Sequence, residues 1–441
     1  MKPYKVLLFI GCVMACLAAL CVVLPGRIVW GEKELRWPTL SEVFETQSPP
    51  VNVLEEEEAP RVIEVLPDTI ALPDTLAPEK PQPIVPVVTI DSTVDSRAFL
   101  RTFYAALSEV NDHAVRVLHY GDSQIEEDRM TMEIRNQLQK RYGGRGVGLM
   151  PLAQTIPSLT VDQRLYMNGR YTAPQQGPRR NLVYGLKSVQ RADGLYGPMG
   201  QVSVMNDSLV RGSEDIMTVC TPKDNRPRYT QWKVFADTTV HFTFSGDTVR
   251  LNGRGKVYGL SQQSENGIII DNIPMRGCLG LVFTKMNEAQ LYHFYQSQNV
   301  RLIIMQFGGN AIPSNEKPST IAAVVQGLRE QVRFLQSCAP QASILFIGPS
   351  DMMRQVDGEW ETYPLVPYMD KLLQKMAQEE QIAYFSLYRW MGGAGSMKRW
   401  QEIGLAGSDG VHFYRGGARK AGNAVAEWIL SGKDIIDGKT N

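Results

Sequence analysis

Hydrophobic and polar positions follow different spacings in different parts of the chain, and each spacing predicts its own kind of element. Near the start, Lys2 and Lys5 precede an apolar run from Val6 to Leu24, which Pro25, Gly26 and Arg27 end. Further on, short apolar runs such as AVRVLHY, GIIIDNIP, VRLIIMQ, ASILFIG and IAYFSLY alternate with segments such as SRAFLRTFYAALSEV, IAAVVQGLREQVRFLQSCA and VPYMDKLLQKMAQEE. In these longer segments apolar residues recur every three or four positions. The short runs predict buried strands and the longer segments amphipathic helices. Their alternation predicts a parallel sheet covered by helices on both faces, an α/β fold. The stretch GDSQIEEDRMTMEIRNQLQKRYGG reads as a turn and then a helix, with Glu126, Glu127 and Asp128 in the first turn, where the helix dipole favours acids. Between 156 and 266 the helical period lapses. Gly, Pro, Thr and Asn are frequent there, and KVFADTTVHFTFSGDTVRLNG alternates as hairpin strands do. A β-rich module therefore interrupts one α/β domain.

The organisation expected is a membrane anchor over 1–32, a linker over 33–95, and an α/β domain in two parts, 96–155 and 267–441, with the inserted module at 156–266. A signal-peptide core is usually about 7–15 residues and a spanning helix needs about 17–25, so Val6–Leu24 is of spanning length. With the basic flank ahead of it, the N-terminus is expected in the cytoplasm and the remainder in the periplasm. Secretion after signal-peptide cleavage is the alternative. The linker alternates acid, proline and single apolar residues, as in EEEEAPRVIEVLPDTIALPDTLAPEKP, and is expected to be an extended spacer.

Composition narrows the chemistry. Lys+Arg number 46 and Asp+Glu 46, so the chain has no basic excess with which to displace the counterions of nucleic acid. Outside the apolar run only Cys220, Cys278 and Cys338 remain, too few and too far apart for a disulfide framework or a metal site; at most one bridge can form. His113, His241 and His293 share no ligand spacing, so no metal and no cofactor is expected. No protein partner is legible.

Open α/β sheets gather their sites beyond the carboxyl ends of the strands. Three predicted strand ends carry unusual residues: Gly121-Asp122-Ser123, Arg276-Gly277-Cys278 and Gly308-Gly309-Asn310. Asp409 and His412 follow in SDGVHF, before the last helix. These parts suit acyl transfer to a serine. A hydroxyl nucleophile needs a base near neutral pKa, and the base needs an orienting carboxylate. The developing oxyanion needs donors, and the N–H of Ser123, the N–H of Gly277 and the amide of Asn310 would provide three. Against this, Ser123 could be a plain helix cap, although Asp122 would serve that purpose too. His119 is a rival base, but it falls inside a strand and reads as a packed polar residue. Trp232, Phe235, Phe242 and Phe244 read as sandwich core in preference to a carbohydrate platform.

The four blocks GDSQ, MRGCLG, FGGNA and SDGVH, in that order, resemble those of the SGNH or GDSL-type hydrolases. Gln124 stands where the Leu of the family motif would be, and Ala311 follows Asn310 where Asp is frequent. The resemblance implies a three-layer, flavodoxin-like α/β fold with Ser123 as nucleophile, His412 as base and Asp409 as its partner. Gly277 and Asn310 would complete the oxyanion hole. A β module inserted after the nucleophile block is also similar to the arrangement in peptidoglycan O-acetylesterases, where the insert is jelly-roll-like. The expected activity is that of a carbohydrate O-acetylesterase acting on O-acetylated envelope glycan, peptidoglycan first. An O-acetyltransferase with the same triad, or a glycan-binding protein with a vestigial hydrolase domain, are the alternatives.

Overall fold

The structure is a computed structural model. It describes residues 27–30, 33–36, 86, 88–90, 95–152, 156–168, 170–172, 208–210, 216–223, 231–236 and 239–438. The apolar run Val6–Leu24 and most of the linker lie outside these residues. Among the described residues no helix is long and apolar enough to cross a membrane.

The chain divides into two compact units, Met1–Pro78 and Glu79–Asn441. In the first, β1 (Arg27–Trp30) and β2 (Lys33–Arg36) form an antiparallel hairpin that straddles the expected boundary between anchor and linker.

The second unit begins with α1 (Arg101–Ala106), then β3 (Ala114–Gly121), a 3₁₀ turn over Ser123–Asp128 and α2 (Thr131–Tyr142). Eight short strands, β4 (Gly148–Met150), β5 (Val161–Met167), β6 (Arg170–Thr172), β7 (Ser208–Val210), β8 (Ile216–Pro222), β9 (Gln231–Ala236), β10 (Val240–Ser245) and β11 (Thr248–Gly253), lead to the long β12 (Gly255–Gln263). The α/β part resumes with β13 (Gly267–Pro274), α3 (Glu288–Ser297), β14 (Val300–Gln306), α4 (Pro318–Cys338) and β15 (Ser343–Ile347). A small hairpin, β16 (Met353–Val356) and β17 (Glu359–Thr362), precedes α5 (Val366–Glu379) and β18 (Ala383–Phe385). The short helices α6 (Leu387–Met391) and α7 (Ser396–Glu402) lead to α8 (Arg415–Ile436).

The central sheet has the order β13-β3-β14-β15-β18 and every pairing is parallel. Counted within the α/β part alone, that is the flavodoxin-like order 2-1-3-4-5. Both faces are buried, which is why these strands read as continuous apolar runs. Alternate residues divide between two cores: Leu118, Tyr120, Ile303, Met305, Ile344 and Phe346 on one face, Val115, Val117, Leu302, Ile304, Leu345 and Ile347 on the other. Residues of α3, α4 and α5 cover the first face and those of α1, α2 and α8 the second.

The β module has a five-stranded antiparallel sheet, β10-β11-β8-β5-β6, and a second sheet in which β12 takes β4, β7 and β9 as partners. Met150, Val161, Ile216, Trp232, Val249, Leu251 and Leu260, drawn from both sheets, share one core. The module's sheet therefore begins at β4, before residue 156. Trp232 and Phe235 are 7% and 8% exposed, whereas Phe242 and Phe244, on the edge strand β10, are 44% and 55% exposed. A buried polar network joins module and sheet. Arg116 on β3 donates to both Asp271 carboxylate oxygens at 2.7 Å and also to Gln263 of β12, while Asp271 accepts the N–H of Leu149 at 2.8 Å.

The expected helix after Ser123 does not begin there. Helix α2 starts at Thr131, and the preceding turn is kinked: Glu126 has ψ 160° and Glu127 φ 61°, and Asp128 follows at φ 67°. Glu126 and Asp128 face arginines rather than a helix dipole.

Candidate active site

Strand β3 delivers Gly121 to the sheet edge, where the chain turns. Asp122 caps the turn, its Oδ1 accepting the N–H of Gln124 at 2.9 Å. The cap reading thus belongs to Asp122, and the Ser123 hydroxyl is left for other chemistry. Ser123 Oγ lies 2.8 Å from His412 Nε2, and His412 Nδ1 lies 2.7 Å from Asp409 Oδ2. With Nδ1 against a carboxylate, the imidazole proton sits on Nδ1, and Nε2 is the acceptor for the serine O–H.

Asp409 also orders its own loop. Its Oδ1 accepts the N–H groups of Val411 and His412, both at 3.0 Å. Burial raises the Asp409 pKa, but the His412 N–H, the imidazole and the Val411 N–H outweigh it and hold the carboxyl below its ordinary range. The loop is fastened to the Ser123 turn from the other side: Gln124 Nε2 donates to Val411 O at 2.7 Å, and Arg129 Nη1 to Phe413 O at 3.2 Å.

The other two strand ends converge on the same place. Ser123, Gly277, Asn310, Asp409 and His412 line one open cleft of about 660 Å³, with Glu126, Arg129, Arg276 and Tyr414 on its walls. This cleft lies beyond β3 and β14, the point where strand order reverses and α/β sheets bind ligands. Asn310 sits in a 3₁₀ turn after β14, and its Nδ2 donates to Asp122 Oδ2 at 3.0 Å and Cys278 O at 3.3 Å. Among the described residues, the N–H groups of Ser123 and Gly277 have no hydrogen-bond acceptor. Burial raises the Asp122 pKa to about 6, with the Gln124 N–H, His412 and Asn310 opposing it.

Behind the Ser123–His412 pair is a second, small cavity of about 70 Å³, lined by Phe307, Pro313, Pro349, Met352 and Val411 beside Asn310. His119 is fully buried in β3, between Thr131 Oγ1 at 2.9 Å and Gln306 Oε1 at 3.2 Å, away from the cleft. Burial lowers its pKa to about 3. Cys220, Cys278 and Cys338 are all free, and burial pushes the Cys278 thiol up to about 11.

Sequence reasoning gave Glu126 no role in the site, and Arg276 none beyond its place in the second block. Arg276 Nε donates to Glu126 Oε1 at 2.7 Å, and Arg276 Nη2 pairs with Glu126 Oε2. The partners are 150 residues apart, and no local pattern pairs them.

No family model matches the chain, and no curated protein matches it. Among solved structures, a peptidoglycan O-acetylesterase is similar with a TM-score of 0.57 and 18% identity, over 78% of this chain and 98% of that one. A carbohydrate acetylesterase from Sinorhizobium meliloti matches with a TM-score of 0.30 and 13% identity, over 72% of this chain and 99% of that one. An acetyl xylan esterase matches with a TM-score of 0.26 and 13% identity, over 37% of this chain and 80% of that one. The chain shares with the peptidoglycan O-acetylesterase an α/β fold with a β-rich insertion, and its cleft brings a serine, an imidazole and a carboxylate into one hydrogen-bonded line.

Proposed function

We propose that the protein is a serine esterase that removes O-acetyl groups from a glycan of the cell envelope, with peptidoglycan as the substrate. The observation that carries the reading is the continuous relay from Ser123 Oγ through His412 to Asp409, at 2.8 and 2.7 Å. Ser123 Oγ attacks the acetyl carbonyl as its proton passes to His412 Nε2. The Asp409 carboxylate stabilises the imidazolium. The N–H groups of Ser123 and Gly277 receive the oxyanion, joined by the Asn310 amide as it gives up its longer bond, 3.3 Å, to Cys278 O, and one such donor typically contributes about 2.7–4 kcal/mol to the transition state. His412 then protonates the departing sugar oxygen, leaving an acetyl group on Ser123. Water, deprotonated by His412, releases acetate and restores the serine.

The small apolar cavity beside Ser123 gives a short acyl group a place to lie. The open cleft on the other side suits a bulky alcohol such as a glycan chain. The apolar run behind Lys2 and Lys5 supports anchoring at the inner membrane with the catalytic domain in the periplasm. Peptidoglycan as substrate rests on likeness of fold and on the inserted β module.

The test is to incubate the protein and its Ser123→Ala variant with O-acetylated peptidoglycan and measure free acetate. Ser123-dependent release is expected. Acetate that appears only on a second glycan would make the protein an acetyltransferase, and no turnover of any acetyl ester would leave a glycan-binding role.

A further inference from the structure

The oxyanion turn is a four-residue turn in which the N–H of Cys278 donates to Met275 O at 3.0 Å, with Gly277 at φ 71°. A positive φ at the third position marks a type II turn, and the type I alternative differs by a flip of the central peptide. Here that peptide joins Arg276 to Gly277. One orientation offers the N–H of Gly277 on a given side; the flipped one offers the Arg276 carbonyl in its place. An oxyanion site built on this N–H works only while the peptide is held.

An ion pair clamps it. Glu126 is a carboxylate whose side chain is 4% exposed, gripping a guanidinium that is 36% exposed on the cleft wall. A bidentate Arg–carboxylate pair fixes direction as well as distance. The segment that carries Glu126 is itself in a costly conformation, with Glu127 and Asp128 both at positive φ. Such strain persists only where the surroundings over-determine it, and it gathers at functional sites. The surroundings are visible: Arg135 pairs with Asp128 at 2.6 Å, and the module's Leu159 N–H and Thr160 hydroxyl bond Glu127 O and Asp128 Oδ2, both at 2.8 Å. A plain helical turn after Ser123 would not carry Glu126 to Arg276.

We propose that Glu126 is a positioning residue which, through Arg276, holds the Arg276–Gly277 peptide with its N–H turned to the oxyanion. This rests on the esterase reading above. Glu126 touches no reacting atom, so its loss acts on the transition state and leaves ground-state binding alone.

The experiment uses the full chain, its Glu126→Gln and Arg276→Met variants and the double variant, with Ser123→Ala as the reference for the reaction itself. Each single variant is expected to lower kcat on p-nitrophenyl acetate roughly 10²-fold, the scale of one oxyanion donor, with KM within about threefold. Affinity for methylboronic acid, whose boron takes the Ser123 oxygen as a fourth ligand while the serine proton passes to His412, should fall by the same factor. The double variant should be no worse than either single one. A lowered Tm with unchanged kcat, or additive losses, would overturn the proposal. If Glu126→Gln does not fold, Arg276→Met, altered on the solvent side of the pair, decides the matter by the same readouts. Wild-type protein without Ser123-dependent turnover would overturn the esterase reading itself. Normal Ser123-dependent turnover with both clamp variants at full kcat would overturn only this proposal.

Discussion

His412 and Asp409 are joined twice: the imidazole Nδ1 meets one carboxylate oxygen at 2.7 Å, and the backbone N–H of the same histidine meets the other at 3.0 Å. One acid therefore sets both the tautomer of the base and the shape of the loop that presents it. Asp409→Asn keeps the size but reverses the hydrogen-bond polarity at Nδ1. Losses of about 10⁴ in kcat are typical when a triad carboxylate is changed in this way, and a fall of roughly 10³–10⁴ is expected here. Steady-state turnover of an acetyl ester checks it, and less than a tenfold loss in a folded variant would remove Asp409 from the relay.

The small cavity beside Ser123 should set acyl length. Met352→Ala enlarges this cavity and is expected to raise the ratio of butyrate to acetate ester turnover about tenfold, the scale of a methylene or two in an apolar pocket. An unchanged ratio would mean that the acyl group lies elsewhere.

His119 predicts an acid-sensitive fold. Its folded pKa of about 3 is below the unfolded value of about 6.5. As pH falls below 6.5 the unfolded chain takes up the proton and the folded chain does not, so stability is complete above 6.5 and is lost between 6.5 and 3. The contribution is at most about 1.4 kcal/mol per pH unit. Urea unfolding from pH 7 to 4 should show a shallower decline in His119→Gln than in wild type. Parallel curves would assign the acid sensitivity to other groups.

The module's aromatic residues fall into two sets with opposite expectations. Trp232 lies in the shared core and its Nε1 donates to Gly246 O at 3.0 Å, so Trp232→Ala should cost about 3–5 kcal/mol in stability. Phe242→Ser and Phe244→Ser should scarcely change stability. If the module grips glycan through them, they lower kcat/KM on polymer and leave a small acetyl ester untouched, because remote binding energy reaches only the substrate that reaches it. Equal kcat/KM on both substrates would leave β10 without a role in binding.

What the sequence made legible follows from how local each signal is. The strands β3, β13, β14, β15 and β18 are buried on both faces, so their sequences are mostly apolar, and glycine corners mark the ends of β3, β13, β14 and β15. Ser123 and Asn310 stand at those corners, His412 stands in the loop before α8, and all five expected site residues line one cleft. The kink at 126–128 was not legible, because Glu126 and Asp128 owe it to arginines supplied from elsewhere in the fold. Strand β4 was hidden as well: three residues whose partner, β12, comes more than a hundred positions later carry no periodicity of their own. In β9 and β10 alternation predicts strands, yet whether Trp232 or Phe242 is covered depends on which strand forms the edge of its sheet.

Ser123 and His412 are 289 residues apart, and β13, with the turn at Gly277 that follows it, pairs residue for residue with β3 only after the whole module has been threaded between them. During synthesis Ser123 thus emerges long before the histidine it meets, and His412 is among the last parts of the site to arrive. Pairings of such long range are slow to form. Until its far end has joined the sheet, the chain holds Ser123 without the partner that lies 2.8 Å from it in the finished fold.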